Sequence, residues 1–238
     1  MQCKLCLQDK DLSNSHIIPE FFYKPVYDEK HRLNVVPLSS EERERYEQKG
    51  IREYLLCKEC EKQLSKYEDH VKRVFYGGTG ILIKNGNPIV IERIDYNKFK
   101  LFQLSLIWRA SISKNSFFNA VRLGPHEKKI RNMIIKEDPS SWLKYPCCIF
   151  MMFMDEKEIL DAFIYPPQIF RYNGHFAYRF VFGGCFWIFF ISNRTHEIEI
   201  TNFFLTEEGK ISIPLRKAEE TPFFQGVAKN ILKFSKDK

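Results

Sequence analysis

Two Cys-x-x-Cys pairs constrain this chain more than any other feature in it. Cys3-Lys4-Leu5-Cys6 stands at the start, and Cys57-Lys58-Glu59-Cys60 follows after 50 intervening residues. The spacing lets two thiolates on one tight turn reach the same ion. Two such pairs supply the four ligands of a closed, tetrahedral zinc site. Coincidence or a redox pair is the competing reading, but a redox motif needs one pair between a strand and a helix, not two. After Cys57, residues 58–74 are rich in Glu, Lys and Gln, with Leu64, Tyr67, Val71 and Val74 at helical spacing. A knuckle at the start and a second knuckle opening a helix predict a treble-clef module over residues 1–78, closed by the turn Gly77-Gly78-Thr79-Gly80. Cys147, Cys148 and Cys185 lie in apolar strand patterns and read as buried core thiols.

With 238 residues, 44% hydrophobic and 28% charged, the chain can bury a core without disulfides. Its first residues lack an apolar run behind a basic start. The most apolar stretch, residues 180–191, contains Gly183 and Gly184 and falls short of the ~18 residues a span needs. The expectation is a cytoplasmic protein with no membrane contact, where paired cysteines suit metal better than disulfides. The net charge is +7. Residues 1–80 balance 14 Lys/Arg against 14 Asp/Glu, while residues 81–140 hold 11 against 5. That surplus suits either a solvated helix surface or a phosphate-contacting face.

Beyond residue 78 the pattern predicts a helical and β-rich body over 79–238, and so an α+β protein overall. Ile81–Ile83 and Ile89–Ile91 flank Asn85-Gly86-Asn87-Pro88 as a hairpin. Helices are expected over 97–113 and 125–137, the latter with Ile130, Met133 and Ile134 inward. Strands are expected over 147–154, 158–165, 177–182, 185–191 and 197–204, in a mostly antiparallel sheet. A last helix is expected over 223–234.

Between the knuckles lies Ser15-His16-Ile17-Ile18-Pro19-Glu20-Phe21. The order Cys-x-x-Cys, His-Ile-Ile-Pro, Leu-Cys-x-x-Cys resembles the HNH, or His-Me finger, nucleases over about residues 1–75. It looks most like bacterial zinc-containing members with a Ser-His-Ile-Ile-Pro segment. The resemblance implies a ββα-metal unit in which His16 is the general base that activates water against a phosphodiester. Mg²⁺ or Mn²⁺ would stabilise the leaving oxygen. It implies Asn34 as the residue orienting that base, and Glu61 as a hard oxygen ligand on the helix. It further implies nucleic acid as partner, and defence against phage as a setting. The family carries Asp or His, a metal ligand, just before the base; here that residue is Ser15. His70, about ten residues past Cys60, is too far along the helix to join such a site.

Each of these residues also suits a plainer role. His16 suits a structural histidine over the zinc site, and Asn34 a turn or strand edge. Glu61 and Glu68 suit an exposed face paired with Lys58, Lys62, Lys66 and Lys72. Lys128, Lys129 and Arg131 form either a phosphate-facing stripe or a solvated face. Arg109, inside an apolar helix, needs a core carboxylate or a phosphate. The aromatic residues of 163–204 suit a core better than base stacking, and His126, His175 and His196 are scattered. Two functions follow: an HNH-like metal-dependent endonuclease, or a non-catalytic zinc module that scaffolds nucleic-acid or protein binding.

Overall fold

A computed structural model describes residues 1–30, 32–35, 45–48, 50–78, 80–154, 159–161, 163–192 and 198–226; for 33–35 and 45–48 it describes the backbone alone. The fold mixes helices with largely antiparallel sheets. Strands β1 (Leu12–His16), β2 (Arg32–Val35), β3 (Arg45–Gln48) and β4 (Arg52–Cys57) come first. β1 pairs antiparallel with β4, and β2 with β3, as two separate ribbons. Helix α1 (Lys58–Tyr76) springs directly from β4 and buries Cys60, Leu64, Tyr67, Val71 and Val74, one stripe at helical spacing. His70 lies on the same stripe, and its Nε2 accepts the Asp95 backbone N–H at 3.1 Å.

The expected hairpin forms as β5 (Leu82–Lys84) and β6 (Ile89–Glu92). Helix α2 (Tyr96–Ile112) follows, capped by Asp95, which accepts from Lys98 N. From Phe99 to Ser111 every residue of α2 is buried, so its apolar positions run all round and it forms the central rod of the protein. Helix α3 (Pro125–Ile135) turns Ile130, Met133 and Ile134 inward.

The remaining strands are β7 (Cys147–Phe153), β8 (Tyr165–Tyr172), β9 (His175–Phe182), β10 (Cys185–Phe190), β11 (Ile211–Ile213) and β12 (Leu215–Lys217). Five make a sheet in the order β12-β7-β10-β9-β8, antiparallel except for the β12–β7 pair, and β11 joins β6. Two expected strands are corrected. Residues 159–161 form only an isolated bridge, Ile159 to Phe153, and the strand lies further on at 165–172. Its Pro166 and Pro167 are tolerated because β8 is an edge strand and its register with β9 shifts between Tyr165 and Gln168, so neither proline interrupts a regular ladder. Residues 201–203 form a 3-10 turn in place of a strand, and only Phe204 bridges the sheet, at Cys148. The expected helix at 223–234 is helical over 222–226, and its remainder lies outside the described residues.

One apolar cluster runs from Cys3 to Ile213 and draws on residues both before Gly77 and after Gly80. Phe22 is its hinge pin. The ring meets Phe182 at 4.8 Å, Phe75 at 5.7 Å and Trp187 at 5.9 Å, joining the N-terminal third to the sheet. The β9–β10 turn passes so close to it that a Cβ on Gly183 would sit 2.4 Å from the ring, and Gly183 has φ +59°. Gly183→Ala therefore combines left-handed strain with displacement of Phe22, and is expected to cost about 2–4 kcal/mol. Gly174→Ala in the β8–β9 turn has φ +79° but open space around it. Thermal unfolding should show the larger loss at Gly183; equal losses would mean Phe22 is not wedged there.

Candidate metal centre and the His16 site

The two knuckles meet because β4 delivers Cys57 beside the N-terminal loop. The Lys4 N–H donates to the Leu55 carbonyl at 2.9 Å, laying the first knuckle along the end of β4. The ligand-type atoms of Cys3, Cys6, Cys57 and Cys60 all lie within 4.8 Å of one another. Cys6 and Cys57 Sγ are 3.8 Å apart. Sulfurs around a tetrahedral zinc, with Zn–S near 2.3 Å, are ~3.8 Å apart. The four cysteines could thus hold a metal ion such as zinc. The surroundings of Cys3 favour thiolate: the Cys57 N–H donates to its Sγ at 3.3 Å. Burial opposes ionisation of Cys3, but backbone N–H groups of Cys6 and Cys57 outweigh it and hold the thiol near 7. Burial raises Cys57 and Cys60.

Helix α3 braces this unit. Arg131 Nε donates to the Lys4 carbonyl at 3.1 Å, inside the first knuckle. Arg131 thus has a structural partner, while Lys128 and Lys129 are exposed beside it.

The His16 site lies at the other end of the β1–β4 ribbon, where His16 stands opposite Arg52 and Ser15 opposite Glu53. The imidazole is only 13% exposed. Its Nε2 accepts from Arg52 Nε at 3.0 Å and also lies against Glu20 Oε2, which makes no well-angled hydrogen bond there. A neutral ring has one proton, so Nε2 serves Glu20 as donor or Arg52 as acceptor, one at a time. Burial dominates the titration and, with Arg52 and Arg109 against Glu20, holds His16 down at about 4. The ring is neutral at pH 7. Glu20 is itself held by Tyr27, whose hydroxyl donates to Oε1 at 2.9 Å.

Behind His16 lies Arg109, which is 2% exposed. Its guanidinium donates to the His16 carbonyl at 2.8 Å and to Glu68 Oε1 at 2.7 Å, so the core carboxylate is the partner it finds. This pair fixes the positions of β1, α1 and α2 together. The lysine pairing expected for Glu61 and Glu68 is absent among the described residues: Glu68 pairs with Arg109. Glu61 Oε1 is shielded from solvent and has no hydrogen-bond partner. Burial raises the Glu61 carboxyl, opposed by Arg109 and the Ser15 hydroxyl. Ser15 Oγ donates to the Ser13 carbonyl at 3.3 Å.

The structure brings His16, Ser15, Glu61 and Arg109 into one neighbourhood and the four cysteines into another. Asn34 lies on β2 with its backbone opposite Tyr46, in the other ribbon, and its side chain is outside the described residues. Glu20 and Arg52 were missed from sequence. Glu20 was accessible as the i+4 neighbour of His16, whereas Arg52 arrives only through strand register. Among the described residues the four cysteines are the sole group of three or more metal-ligand side chains. Among those residues, too, no helix is long and apolar enough to cross a membrane. The chain matches no known family model, no curated protein and no solved structure.

Proposed function

We propose that this chain is an HNH-like metal-dependent endonuclease whose N-terminal third is a treble-clef module stapled by structural zinc. The observation that carries this reading is the β1–β4–α1 unit. It presents a neutral, largely buried His16 from a strand, and from the helix Glu61, a partly buried carboxyl held near Ser15 and Arg109 whose Oε1 has no hydrogen-bond partner. A neutral imidazole can take a proton from water, and Glu20 would steady the imidazolium that forms. Glu61 would offer Mg²⁺ or Mn²⁺ one hard oxygen, with substrate phosphate oxygens and water supplying others. Bound there, the ion would stabilise charge on the leaving oxygen. The phosphodiester of a nucleic acid is the substrate this chemistry suits, and phage defence is a setting consistent with it.

The alternative is a zinc module that binds nucleic acid or protein without cutting. One contact favours it: Arg52 Nε already donates to His16 Nε2 and would have to release it. Ser15 at a ligand position points the same way.

Incubation of the full chain with plasmid DNA and single-stranded RNA, under Mg²⁺, Mn²⁺ or EDTA, tests this. Metal-dependent cleavage is expected, with His16→Ala lowering it about 10²–10⁴-fold at unchanged metal content and melting temperature. Because the ring protonates only near pH 4, the acid limb should hold to about pH 5 before rate is lost, well below the usual histidine limb. Cleavage that survives His16→Ala removes His16 from the role of base, and no cleavage by folded, zinc-loaded protein favours the binding module.

A further inference from the structure

The five-stranded sheet has two unlike faces, because side chains alternate along each strand. Cys147, Ile149, Tyr178, Phe180, Phe182, Cys185, Trp187 and Phe189 point into the main core. The opposite face is covered at its two ends by separate apolar clusters. One gathers Cys148, Ala177 and Phe190 under Phe204, and the other gathers Met152, Val181 and Phe186 under Phe223. On this face lies a cleft of about 490 Å³, within the range of small-molecule sites.

Its floor is Phe150 of β7 and Ile188 of β10. Arg179 of β9 stands opposite Ile188 in register and lines the same cleft. Arg216 and Lys217 of β12 line it too, against one acid, Glu220. None of these three cations makes an ion pair among the described residues. Arg179 is clamped by its surroundings: its guanidinium carbon lies 4.4 Å from the Phe223 ring centre and 5.2 Å from that of Phe186. One of its amino groups donates to Gln168. Its Nε is shielded from solvent and has no hydrogen-bond partner. Its other amino group is not shielded in this way, and an anion oxygen in the cleft could accept from it.

We propose that this cleft binds a nucleoside phosphate, with the phosphates held by Arg179, Arg216 and Lys217 and the flat base laid on Phe150 and Ile188. The cleft is much larger than a phosphate ion, and its apolar floor suits a flat ring beside the charge. The flanking clusters bound it, which suits one nucleotide and not a strand running through. The site belongs to the β-rich body and stands apart from the His16 site, so it does not depend on the nuclease reading.

Calorimetric titration of the full chain with ATP, GTP, adenosine, inorganic phosphate and a single-stranded decanucleotide tests the proposal. At least one triphosphate is expected to bind at one site per chain, with adenosine and phosphate each weaker by about tenfold or more. Arg216→Glu/Lys217→Glu, both exposed, should weaken the triphosphate on the order of tenfold or more with melting unchanged. Arg179→Lys, which keeps charge but loses the fork, should weaken it as well. His16→Ala should leave binding intact. No triphosphate binding by folded protein overturns the proposal, as does binding that the Arg216/Lys217 variant retains. Phosphate as tight as ATP reduces the cleft to a general anion patch. A decanucleotide that ATP cannot displace makes it a strand site.

Discussion

Cys60→Ser is expected to abolish stoichiometric zinc binding and to lower the melting temperature by about 10–20 °C. A serine hydroxyl stays protonated where a thiolate binds, so the tetrahedral set loses a ligand and the other three sulfurs become a crowded, buried group. Structural zinc contributes ~10–16 kcal/mol of apparent binding free energy in small zinc peptides. In a protein with its own core only part of that is lost, since β1, β4 and α1 keep their packing. A loss of about 5 kcal/mol, at roughly 2–4 °C per kcal/mol for a chain of this size, accounts for the expected drop. Cys185→Ser is the control. Cys185 is buried at least as deeply but lies in the sheet, so the variant should lose some stability and keep the metal. Metal content by mass spectrometry under native conditions, read beside thermal melting, decides the matter. Full zinc occupancy in Cys60→Ser would show that the four sulfurs do not form the ligand set.

Arg109→Met is expected to cost ~3–5 kcal/mol, the usual penalty for removing one member of a buried ion pair. Methionine fills much of the space but leaves Glu68 and the His16 carbonyl without their donors. Glu68→Gln should cost less, because its side chain is 23% exposed and the amide oxygen still accepts from Arg109. Adding Glu68→Leu to Arg109→Met should recover part of the loss, as the orphaned carboxylate is then gone. Chemical denaturation of the four proteins measures this. A fall below about 1 kcal/mol in Arg109→Met would mean that Arg109 is not what locks β1 and α1 onto α2. The same variant bears on function: if Arg109 positions His16 through its carbonyl, cleavage should fall by more than the loss of folded protein explains.

Much of the local structure was legible because its causes are local. Leu64, Tyr67, Val71 and Val74 recur at the period of one helix face, and α1 forms with that face buried. The apolar positions of α2 run all round it, and α2 is buried all round. Strand positions were legible only where alternation met a neighbour. Residues 197–204 have strand composition, yet at 201–203 the chain takes a 3-10 turn and reaches the sheet only through Phe204. Residues 165–172 carry two prolines that argue against a strand, yet they form an edge strand whose register shifts at those prolines. Whether a segment is a central strand, an edge or a lid depends on which neighbour it meets.

The sequence by itself determined the candidate metal-binding cluster of four cysteines, because Cys-x-x-Cys spacing acts within a single turn and two copies need only one meeting point. Only the tertiary structure decided which of the other residues meet. Arg52 reaches His16 from the facing strand across 36 positions of sequence, Arg109 reaches Glu68 across 41, and Arg179, Arg216 and Phe150 line one cleft from three strands. The physical reason is that charge, burial and hydrogen bonding are set by distance in space, and register and packing bring together residues that no local period connects.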